Sequence, residues 1–214
     1  MDEISIRLIN SGDVMRKEKM NKKNLGVSLN DLRLLYKIFG SLHVETIETP
    51  KSIFNGIGIL DVFNYCLSEN EARKYLWIDG FGQKHVDKYL NFIRGVYQLN
   101  NREPVFVKID KFFNKLHKNN VFNRAIHDLT PKEGSIFLNL LLNDEYFLKV
   151  NDLEVLNTLV KLIAMEEVLS TFYFPKTETV LIGNYDLSLP LYSKHEITFK
   201  EYEKLAHKNR LYIR

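Results

Sequence analysis

The stretch "WIDGFGQKHVDKYL", residues 77–90, constrains this chain more than any other. It has a short apolar entry, two glycines one residue apart, and then an amphipathic run. The first glycine can take a positive φ at little cost and turn the chain sharply, and the second has no Cβ to keep a ligand from the backbone. A helix that starts there offers unpaired N–H groups and the positive end of its dipole, which together favour an anion. Lys84, just past the turn, adds a charge-assisted contact to a phosphate. The pattern recurs about two dozen residues upstream. "FNGIGILDVFNYCL" and "IDGFGQKHVDKYLNFI" both fit the form h-x-G-h-G-x-x-x-h-x-x-h-h. One G-x-G reads as a plain turn between two helices, whereas a tandem pair predicts two helix-hairpin-helix units. In the upstream copy Ile59, Leu60 and Asp61 follow the turn and no lysine does. That copy is therefore expected to serve packing, with Gly56 and Gly58 taking a lesser part in phosphate contact.

The rest of the chain reads as helical with strands at both ends. Ile4, Ile6 and Leu8 alternate with polar residues, which predicts a short strand before a lysine-rich connector that runs to Asn24. Ser28 opens a helix that Gly40 stops, and Ser68 with Glu71 has capping-box spacing. Pro104 is expected at the first turn of a helix over "PVFVKIDKFFNKLHKN". Thr130-Pro131 starts another, and Asn151 or Asp152 caps a long one running on through "STFYF". "TETVLIGNYDLSLPLY" is β-like, and Thr198 with Glu201 is read as the cap of a final helix. The expected fold is mainly α. A strand and basic connector fill 1–24, a tandem helix-hairpin-helix region 25–100, a helical region 101–173, and a small α/β tail 174–214.

Composition narrows the chemistry. The 214 residues are 45% hydrophobic and 27% charged, an ordinary globular balance, and the net charge of +3 does not by itself announce a nucleic acid. Its distribution says more: Arg16, Lys17, Lys19, Lys22 and Lys23 stand against Glu18 alone in their segment. Lys108, Lys111, Lys115 and Lys118 fall on one side of the helix expected there, as a solvated face or a second phosphate strip. Cys66 is the only cysteine, so no disulfide framework or cysteine-based zinc site is available, and a reducing cytoplasm is the simplest setting. No signal peptide opens the chain and no apolar run is long enough to span a bilayer. The six histidines are scattered and the acidic pairs are adjacent, so no metal site and no catalytic dyad is expected.

"LWIDGFGQKHVDKYLNFIRGV" resembles the helix-hairpin-helix segment of NAD-dependent DNA ligases, and "IFNGIGILDVFNYCL" sits where that family has its preceding hairpin. "ISIRLINSGDVMRK" is similar to the last strand of the family's OB-fold, and "TETVLIGNYD…KHEITFKEYEKLA" resembles the end of a BRCT domain. The family's four-cysteine zinc finger is missing between Met15 and Asn24, and so is its Lys-x-Asp-Gly nucleotidyl site. "KIDK" at 108–111 is the nearest string and lacks the glycine. The resemblance thus implies a non-catalytic, DNA-clamping subunit of a two-chain ligase, plausible in a phage or other virus. NAD would be bound by a separate nucleotidyltransferase chain and no cofactor by this one. The expected activity is non-sequence-specific binding of duplex DNA through Gly80, Phe81, Gly82, Gln83 and Lys84, assisted by Gly56, Gly58, Arg16, Lys17 and Lys19. Two other readings remain: a stand-alone helix-hairpin-helix accessory of repair or recombination, and a helical protein-interaction module that binds no nucleic acid.

Overall fold

The computed structural model describes residues 26–78, 80–109, 121–142 and 146–214. The connector with Arg16, Lys17 and Lys19, the segment expected to form an N-terminal strand, Asp79, and Lys111, Lys115 and Lys118 lie outside these residues. The fold is α/β and not mainly α. Its centre is a seven-stranded sheet formed by β1 (Gly56–Asp61), β2 (Val105–Ile109), β3 (Phe147–Val150), β4 (Ser170–Phe174), β5 (Thr179–Ile182), β6 (Leu189–Ser193) and β7 (Tyr212–Ile213). The strand order is β3-β2-β4-β5-β6-β1-β7, with every adjacent pair antiparallel. The strands of segment 174–214 pair with β1 and β4, so this segment is part of the central sheet and not a separate small tail.

Helices cover both faces of the sheet. On one side α1 (Leu29–Phe39) buries Leu35 and Phe39 against Phe106, Phe147, Tyr173 and Val180. On the other, α3 (Phe81–Leu99) and α5 (Leu153–Ala164) bury Phe92, Ile93, Leu159 and Ile163 against Val105, Val107, Phe172 and Leu181. Successive strand residues alternate between these clusters, as the period of two requires. With both faces covered, β2 and β4 are buried at every position. That burial removes the apolar–polar alternation that marks a half-exposed strand and leaves a mostly apolar run. Such a run is why "VFVKI" and "STFYF" read as helix in the sequence, and both are strands.

The tandem hairpin is the second correction. "GIGILD" is β1, paired with β6 from Gly56↔Ser193 to Leu60↔Leu189 and with β7 at Leu60↔Ile213 and Asp61↔Tyr212. Its glycines make room for neighbours. A Cβ on Gly56 would lie 2.5 Å from the Phe199 ring, and one on Gly58 would lie 2.5 Å from Ile213 Cγ2. Phe199 belongs to α6 (Glu196–Lys208), which starts after His195 and not at Thr198. Gly in a strand where another element comes close is a recurrent use of the missing side chain.

Local capping signals translate directly. Ser28 Oγ accepts from the Asp31 amide at 3.1 Å and Asp31 Oδ2 accepts from the Ser28 amide at 3.0 Å, while Gly40 ends α1 at φ 73°. The same reciprocal pair forms at Ser68 and Glu71 before α2 (Glu69–Tyr75), and at Thr130 and Glu133 at the start of α4 (Pro131–Leu142). Asp152 caps α5.

Candidate nucleic-acid interface

One face of the molecule is built by the turn between α2 and α3. After Leu76 the chain exposes Trp77 and Ile78, and Gly80 then takes φ +79° as the N-cap of α3. The Phe81 amide donates to the Ile78 carbonyl at 3.1 Å and the Lys84 amide to the Gly80 carbonyl at 2.9 Å, which closes the first turn. Glycine offers no capping side chain, and among the described residues none caps this helix. Phe81 is anchored by stacking on Phe63, with centroids 6.3 Å apart and planes 4° apart, and by an edge contact with His85 at 4.8 Å. Phe63 also touches Tyr65 at 6.4 Å and Tyr75 at 5.9 Å, so one ring organises the whole aromatic group.

Cations flank it. Lys84 and Lys88 stand one turn apart on α3, and Arg210 approaches from just beyond α6. Among the described residues none of the three makes an ion pair or a side-chain hydrogen bond. Burial, then the charges of Arg210 and Lys84, lowers the pKa of Lys88. Burial, then Lys88 and Lys84, likewise lowers that of His85 and favours the neutral imidazole at neutral pH. Like charges gathered in this way would gain from an incoming anion.

The residues named from sequence divide as follows. Gly80, Phe81, Gln83 and Lys84 all stand at the start of α3, but Phe81 faces the aromatic group. Gly82 does not leave space for a ligand: a Cβ there would sit 1.7 Å from the carbonyl oxygen of Ala164, at the end of α5. Its missing side chain serves the crossing of two helices. Gly56 and Gly58 lie on β1, and the structure does not bring them to this turn. Three members of the face were not singled out. Lys88 was legible as Lys84 plus one helical turn. Trp77 reads in the sequence only as part of an apolar entry to the turn. Arg210 is brought in by α6, and no local pattern announces it.

Two buried charges elsewhere are structural. Lys108, whose side chain is 3% exposed, bonds Glu45, lies 3.1 Å from His43 Nδ1 and has its ammonium 5.5 Å from the Tyr146 ring centre. Burial alone would lower its pKa. The hydrogen bond and charge of Glu45 outweigh that and raise it, so Lys108 is held as an ammonium and is no nucleophile. Asp61 accepts from Arg214 at 2.9 Å and from Ser188 at 2.8 Å, tying the end of β1 to the chain just after β7 and just before β6.

Comparison of the chain with protein-family models, with curated proteins and with solved structures gives no match. Among the described residues no helix is long and apolar enough to cross a membrane.

Proposed function

We propose that this protein binds nucleic acid without sequence specificity, holding phosphates at the start of α3. The observation that carries the reading is the cluster of Lys84, Lys88 and Arg210, three cations with no ion-pair partner among the described residues. The uncapped first turn of α3 beside them adds backbone N–H donors and a favourable dipole. Contacts of this kind position a strand and carry no base information.

Binding of labelled single-stranded and duplex oligonucleotides, measured by fluorescence anisotropy across a salt series, tests the reading. Affinity should fall with a log–log slope of about −0.7 per phosphate on a single strand or about −0.9 on duplex. Replacing Lys84, Lys88 and Arg210 together by Gln should flatten the slope by about two to three contacts and weaken binding on either substrate. An unchanged slope and affinity in that variant would falsify the reading, as would no binding by the wild type at low salt.

With β1 a strand, the reading of this chain as a ligase subunit is supported by the "GFGQK" turn and not by a tandem hairpin. Nick sealing by a separate catalytic chain only when this protein is present would support that version. Full-rate sealing without it would end it.

A further inference from the structure

The exposed rings beside the cations narrow the ligand. Trp77 is 74% exposed and Ile78 59% exposed at the tip of the α2–α3 turn, and the exposed Tyr65 and Tyr75 both pack on Phe63. Large apolar side chains exposed together, unlike single scattered ones, mark a contact surface. The charges around them indicate what they contact. The Arg73 guanidinium lies 5.8 Å from the centre of the Trp77 ring and Lys74 Nζ lies 5.2 Å from that of Tyr75. Lys84 and Lys88 follow Phe81 on α3 around His85, which packs edge-on against Phe81, and Arg210 is near enough for its charge to act on Lys88. The acids of α2 are engaged locally: Glu69 pairs with Arg73, and Glu71 bonds Ser68 and Tyr65.

An apolar partner helix would cover the rings but strand the cations. Duplex DNA would satisfy the cations but leave the rings idle, because its bases are already stacked on each other. A single strand satisfies both, since every base has a face to stack and every nucleotide carries a phosphate.

We propose that the Trp77, Tyr75 and Tyr65 ledge stacks the unpaired bases of a single-stranded nucleic acid whose backbone follows Lys84, Lys88 and Arg210. This rests on the phosphate-binding reading above and narrows it to strands with unstacked bases. Trp77 is the only tryptophan in the chain, so its emission reports the contact directly.

The test uses the full chain with a short labelled oligothymidine and a duplex of the same length. The single strand should bind about tenfold tighter than the duplex and quench Trp77 emission. Trp77→Ala should cost about tenfold on the single strand and much less on the duplex, while Trp77→Phe retains most of the affinity, as expected where one stacked base is lost. Because Trp77 lies outside the core, its variants should keep the wild-type melting temperature, which separates loss of contact from loss of fold. Equal affinity for both substrates without quenching overturns the ledge and leaves phosphate binding standing. Binding to neither substrate overturns both. Self-association that Trp77→Ala abolishes, with no quenching by oligothymidine, also overturns the ledge and assigns it to a second copy of the chain.

Discussion

Gly80 and Gly82 are two residues apart and answer to different constraints. Gly80 needs its positive φ, and Gly82 needs its missing Cβ because the Ala164 carbonyl occupies that space. Gly80→Ala should cost about 1 kcal/mol, the penalty for a side chain in the left-handed region. Gly82→Ala should cost more, about 2–3 kcal/mol, because α3 and α5 must separate to admit a methyl group. Urea denaturation of the two variants gives the order directly. At Asp61 the constraint is charge: its carboxylate is 4% exposed and its partner Arg214 24% exposed. Arg214→Ala leaves that carboxylate bonded only by Ser188 and the Phe63 amide. The expected loss is about 2 kcal/mol, below the range for breaking a fully buried pair because the guanidinium is already partly solvated.

The helices carry a pH dependence at their starts. Burial alone would raise the pKa of Asp31; bonds from Lys149 and Ser28 outweigh it and hold the group below its ordinary value. Glu133 follows the same logic: burial raises, Lys161 and Thr130 lower, and the net is a depression. A carboxylate with a depressed folded-state pKa contributes stability that is fully present above its unfolded pKa and is lost as pH falls through the folded one. The starts of α1 and α4 should therefore weaken below about pH 4, the model-peptide range for these groups. Asp31→Asn and Glu133→Gln should each flatten the acid limb of a stability–pH curve, while leaving its neutral-to-alkaline shape unchanged. β1 makes a contrasting point about elements. Its "GIGIL" was legible as a place needing glycine, but the reason for the glycines, Phe199 and Ile213, lies far along the chain. A local reading could only supply a local reason, the hairpin.

Across the molecule, the two apolar clusters lie on opposite faces of one sheet and share its strands. Phe39 fills one and Phe92 the other, both fully buried. Phe39→Ala and Phe92→Ala should each cost about 3–5 kcal/mol, and each should shift a single unfolding transition followed by far-ultraviolet circular dichroism. Two transitions, each moved by one variant only, would mean that the layers fold separately. What the sequence determined alone is what a few consecutive residues can complete among themselves. Ser28, Ser68, Thr130 and Asp152 start helices, and Gly40 stops one, because a cap closes its hydrogen bonds within four residues. The turn at Gly80 and its lysine were equally readable. Only the tertiary structure decided that "VFVKI" and "STFYF" are strands, because burial on both faces erases the alternation that would reveal them. It also decided that Gly56 and Gly58 make room on a strand for Phe199 and Ile213, that Gly82 serves a helix crossing, and that Arg210 comes near Lys88. Close approach and like-charge clustering depend on which distant segments meet, and no short window of sequence contains both partners.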